Sequence, residues 1–144
     1  MTRHPIHPML VHFPLAAWLF TAASDVTWLV MGTPFFSHMA VFMCLAGVAA
    51  GAIAAMFGAG DLQRVKGQKS LERIAYIHAG LMGSAWVLST IALVLRIDEM
   101  FMTRIPEPLA VIVLDFLVAA LVLAGAFFGG ELVYRHGVGV KRET

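Results

Sequence analysis

Four stretches of this chain run for about twenty residues without a lysine, arginine, aspartate or glutamate, or with a single one. They cover 9–24, extended to 31 across Asp25, then 39–60, 74–95, and 108–130 with Asp115 inside. A helix needs about 20 mostly apolar residues to cross a hydrocarbon core of roughly 30 Å. Each stretch meets that length. Lipid leaves no partner for open backbone groups, so each span is expected to be helical. The pattern therefore predicts an all-α integral membrane four-helix bundle in a single domain, with spans at about 9–31, 39–60, 74–95 and 108–130.

Composition agrees with this. The 144 residues are 60% hydrophobic and 13% charged, with mean hydropathy +0.83. A soluble domain carries about 25% charged residues. The formal net charge of +1 gives no global attraction to nucleic acid. Cys44 is the sole cysteine, which excludes an internal disulfide and a cysteine metal cluster. The first apolar run is longer than a signal-peptide core, so it reads as a retained span.

Local signals place the turns. Pro14 should bend the first helix just beyond His12. Gly32-Thr33-Pro34 reads as a tight turn, with Ser37 as the N-cap of the second span. Gly47, Gly51 and Ala55 form a small-residue stripe that lets a neighbouring helix approach, or makes room for a flat cofactor. Gly60-Asp61 should end that span. Residues 61–73 and 96–107 read as charged loops, with Arg96 in the second. The sequence shows no internal repeat and no low-complexity segment.

Basic residues give the orientation. With four crossings both termini share one side. That side holds Arg3, Arg64, Lys66, Lys69, Arg73, Arg135, Lys141 and Arg142, and the other holds Arg96 and Arg104. This asymmetry places both termini in the cytoplasm. The bilayer is then the inner (cytoplasmic) membrane.

The same threading gathers His4, His7, His12, His78 and His136 at the cytoplasmic end, with Asp61, Glu131 and Tyr134. His12 and His78 enter their spans to similar depth and are the expected facing pair. Two facing imidazoles suit haem b, with Arg64, Arg73 or Arg135 near its propionates. Tyr134 and His136 join the candidate cofactor residues. His7, His12, Asp61 and His78 would equally suit a Zn, Fe or Cu ion. The plain alternative is that these rings cap helix ends. Near the opposite face Asp25, Cys44, Ser89, Thr90 and Asp115 fall at one depth. Asp25 and Asp115 could share a proton or an ion there, or bond separate neighbours. His38 and several methionines lie at that face too, a set that suits copper or ordinary packing.

Two end segments resemble a known family. His4-Pro5-Ile6-His7-Pro8-Met9-Leu10-Val11-His12-Phe13-Pro14 is similar to the opening signature of the bacterial membrane proteins of domain-of-unknown-function family 2231. Gly129-Gly130-Glu131-Leu132-Val133-Tyr134-Arg135-His136-Gly137-Val138-Gly139-Val140 resembles its closing signature. Gly60-Asp61 and His78 also match. That family is loosely similar to transmembrane cytochromes b, which implies haem on His12 and His78, and a single haem at the cytoplasmic side.

Three functions follow as expectations. The first is a b-type haem protein for electron transfer or a small redox subunit, with a redox partner protein or a quinone as its counterpart. The second is metal-ion binding or transport. The third is a non-catalytic subunit or assembly factor, and a homo-oligomer fits any of them. No nucleophile–base set is visible, so no enzyme activity is read. The orientation is directly testable. A reporter fused after Thr144 should be active only in its cytoplasmic form, and one inserted between Asp98 and Arg104 only in its external form. A periplasmic C-terminus would reverse the assignment.

Overall fold

The computed structural model describes residues 6–101 and 109–138, with side chains described up to Arg96 in the first of these segments. Arg3, His4, Arg104, Lys141 and Arg142 lie outside the described residues. Helices account for nearly everything else: α1 (Ile6–Leu10), α2 (His12–Met31), α3 (Pro34–Val65), α4 (Lys69–Phe101) and α5 (Leu109–Gly130), followed by a π-helical turn at Glu131–Arg135. Four spans are long and apolar enough to cross a membrane, with α1 and α2 together making the first. They form a closed ring: α2 packs on α3, α3 on α4, α4 on α5, and α5 back on α2. The protein is a multi-pass, all-α membrane bundle, as the apolar runs predict.

The helices overrun those runs. Thr33 precedes the first turn of α3 and Pro34 occupies it, where a missing N–H costs nothing. Ser37, expected as the cap, is buried one turn further in. Gly60-Asp61 does not stop α3, which continues to Val65. The predicted loop 61–73 shrinks to Lys66-Gly67-Gln68, with Gly67 at φ +87°. Charged residues at these ends can hold helical geometry outside the hydrocarbon, so charge marks the edge of the apolar layer and not the end of the helix.

The first span breaks at Val11, slightly before the expected bend. Pro14 has no N–H to give Leu10, four residues back, and its ring crowds that carbonyl. The bonds on either side survive: Val11 N donates to His7 O and Leu15 N to Val11 O. The interruption therefore falls on the turn before the proline.

Trp18 fills the middle of the bundle with Ala85, Val118 and Val122. The small-residue stripe of α3 exists to admit it. A Cβ on Gly47 would stand 2.5 Å from Trp18 Nε1, and one on Gly51 would meet the same indole at 2.9 Å. Ala55, the third member of the expected stripe, faces outward, and Ala54 takes its place in the interior. Gly83 has open space where its side chain would be. The pair makes a controlled comparison by thermal unfolding in detergent micelles. Gly47→Ala should destabilise by about 1–3 kcal/mol through overpacking. Gly83→Ala should stabilise by up to about 1 kcal/mol, the helix preference of alanine over glycine. Equal effects at the two positions would refute the packing account.

Candidate functional site

Two histidines meet at the end of the bundle where the chain enters. His7 sits on α1, and its Nδ1 donates to Ala54 O on α3 at 2.9 Å. His78 sits on α4, and its Nδ1 donates to Gly125 O on α5 at 2.8 Å. A carbonyl only accepts, so in each bond Nδ1 carries the proton. In the neutral ring Nε2 is then the lone-pair nitrogen. The two rings lie 6.4 Å apart, centre to centre, at 77° to one another. Each rests on a glycine. A Cβ on Gly58 would come within 2.8 Å of the His7 ring, and one on Gly129 within 2.9 Å of the His78 ring.

The expected facing pair is thus corrected in one member: His7, and not His12, stands opposite His78. The cause is helix rotation. Five residues at 3.6 per turn set two side chains about 140° apart, so with His7 aimed into the bundle His12 points to the outside. There its Nδ1 meets Met9 O at 3.3 Å. His12 lines an outward groove of about 690 Å³ between α2 and α3, with Phe13, Phe20 and Met43. The other candidates disperse. Asp61 pairs with Arg64 and Arg135 with Glu131. Arg73, Tyr134, His136 and His38 are exposed. His7, His12, Asp61 and His78 do not converge, and among the described residues no three His, Cys, Asp or Glu side chains form a metal-binding group.

The second polar layer does assemble, around a residue that sequence reasoning assigned to a loop. Arg96 is fully buried, because α4 runs on past it to Phe101. Its Nη2 donates to Asp25 Oδ1 at 3.0 Å and Oδ2 at 2.8 Å, and to Asp115 Oδ2. Asp25 and Asp115 are thus joined through a guanidinium. Cys44 lies buried beside this group, with Sγ 3.4 Å from both Ser89 O and Ser89 Oγ. Thr90, expected in the same layer, bonds back to Trp86 O on its own helix. The signal that could have found Arg96 is its distance from His78. Eighteen residues along one helix amount to about 27 Å, still within the hydrocarbon thickness.

The family model described as a predicted membrane protein, DUF2231, matches residues 3–142. The chain belongs to that family. No curated protein and no solved structure matches it. The family description carries no activity, so chemistry has to be argued from this chain's own side chains. The opening signature supplies His7, which bonds Ala54 O on α3. The closing one supplies Gly129, on which His78 rests, and Leu132, which packs with Val65 and Ala75.

The Arg96 group should behave as a unit. Arg96→Ala leaves two buried carboxylates without their cation, and loss of one partner from a buried pair costs about 3–5 kcal/mol. Asp25→Asn and Asp115→Asn should be non-additive in a double-mutant cycle, since both act on one Nη2. Denaturant titration of the micellar protein would show this. Simple additivity would mean that the two aspartates are energetically separate.

Proposed function

We propose that this protein is a membrane b-type haem-binding protein serving electron transfer, alone or as a small redox subunit, with His7 and His78 as the two residues that would hold the iron. The observation that carries the reading is the matched pair of Nδ1–carbonyl bonds. Metal-bound histidines characteristically donate their second ring nitrogen to a carbonyl or carboxylate, which fixes the tautomer and the ring orientation. Here both rings are fixed this way, each by a different helix of the opposite chain direction. The 6.4 Å ring separation is compatible with this. Two imidazoles bound on opposite sides of one metal at about 2 Å have centres roughly 6 Å apart. That spacing also falls within edge-to-face ring contact, so the support comes from the carbonyl bonds.

Haem is favoured over a bare ion by donor count. A structural or transported Zn ion takes about four protein donors, whereas a macrocycle brings four of its own. Two histidines then complete the iron. Haem ligated in this way supplies one-electron transfer. The chain's part is to hold both rings through Ala54 O and Gly125 O, and to seat each ring against a glycine, Gly58 or Gly129. Arg73, five residues before His78 on α4, offers a cation at the same end for an acidic edge group. The excess of basic residues there supports a location for this end at the cytoplasmic face of the inner membrane.

Absorption spectra of protein expressed with ample haem test the reading. The wild type should show a Soret band and sharp α/β bands on reduction. His7→Ala and His78→Ala should each remove the low-spin spectrum, and His12→Ala should keep it. A wild type that binds no haem sinks the proposal. Loss of haem in His12→Ala with retention in His7→Ala would overturn the ligand assignment.

A further inference from the structure

The two histidine environments are too alike to be independent. His7 and Ala54 are 47 residues apart, and so are His78 and Gly125. The supporting glycines Gly58 and Gly129 both follow their histidine by 51 residues. Every element of one site therefore recurs 71 residues later in the other.

The same offset runs through the whole bundle. Every buried residue of α5 stands 71 positions after a buried residue of α3: Val111, Ile112, Asp115, Val118, Val122 and Gly125 follow Ala40, Val41, Cys44, Gly47, Gly51 and Ala54. On the partner helices, buried Ala85, Ser89, Ala92, Leu93 and Arg96 follow buried Pro14, Trp18, Thr21, Ala22 and Asp25 by that number. Helical periodicity alone could match one pair of helices. It does not fix the same shift on two pairs and on two hydrogen bonds as well.

We infer that the chain is two copies of one helical hairpin, α1–α3 and α4–α5, docked about a pseudo-two-fold axis that runs along the helices, and that Asp25 and Arg96 are the lock between them. The ring of contacts has this symmetry, since α2–α3 corresponds to α4–α5 and α3–α4 to α5–α2. Residues on such an axis face their own counterparts. His7 faces His78 at one end, and Asp25 faces Arg96 at the other. A hairpin pairing with an identical copy would set aspartate against aspartate or arginine against arginine at that position. Opposite charges there favour the two different hairpins of one chain, because like charges meeting in hydrocarbon are strongly disfavoured.

Residue identity survives almost only at the histidine end. Ile6-His7 matches Ile77-His78, Leu10 matches Leu81, and Phe57-Gly58 matches Phe128-Gly129. This inference does not depend on haem. The repeat stands on burial and hydrogen bonding whether or not the histidines bind iron.

Two measurements on the full-length protein test it. Spin labels are placed at outward-facing positions related by the offset: Phe20 with Phe116, and Leu45 with Ile91, all exposed. Cys44 is buried and stays unlabelled. A two-fold relation requires the two pairs to give coincident distance distributions in pulsed dipolar spectroscopy. Clearly separate distributions would overturn the repeat. The lock is tested by transferring the charged group across the axis. Asp25→Arg alone and Arg96→Asp alone should each lose the folded monomer on size-exclusion chromatography. The fourfold variant Asp25→Arg, Cys44→Asp, Arg96→Asp, Asp115→Cys restores both charge contacts of the guanidinium at their related places and should recover the monomer. A fourfold variant no better than the single reversals would overturn the lock.

Discussion

A guanidinium in hydrocarbon dictates what surrounds it. Desolvating such a charge costs several kcal/mol even after relaxation. Arg96 is held where Asp25 on α2 and Asp115 on α5 bring oxygens to its Nη2. In the ring α5 stands beside α4 and α2 lies across from it, so the charge group fixes three of the four spans at one depth. The fourth enters through Cys44, which touches Ser89 on α4. Apolar packing in lipid gives little preference for one register over another, since lipid chains are as apolar as side chains. Polar contacts of this kind supply the register. The Trp18 indole then has a defined slot over Gly47 and Gly51, and the histidines at the far end are delivered to one height.

The fold was legible in the sequence because lipid makes it so. Four long apolar runs, with one aspartate in each of two, permit little besides four helices. The turn at Gly32-Thr33-Pro34 was equally plain. Helix ends were not, because charge reports the boundary of hydrocarbon and helices continue into the headgroup layer. The same substitution of charge for boundary hid Arg96. Its position just past an apolar run made it look like a loop residue, while the extension of α4 carries it inside.

The histidine site was half legible. His78 was placed correctly, and the end of the bundle was right. His12 was preferred over His7 on depth alone, and depth says nothing about the direction a side chain points. Direction follows from helix rotation, which sets residues five apart at about 140° to one another. The repeat was illegible for another reason. Burial tolerates substitution between valine, alanine, glycine and leucine, so two hairpins can keep one interior pattern while sharing few residues. The shared burial pattern and the matched contacts to specific carbonyls reveal that the positions correspond.

The clamp at Arg96 has a consequence for how this protein meets a bilayer that does not fit it. Arg96, Asp25 and Asp115 are buried on every side, so lipid touches only the apolar outside of the helices. A bilayer thicker or thinner than that apolar belt costs a fraction of a kcal/mol per ångström of mismatch. A lone span relieves such a mismatch by tilting. Helices joined at Arg96 by ion pairs, and at Ser89 by Cys44, cannot tilt separately, so the bundle leans as one body or the lipid around it deforms.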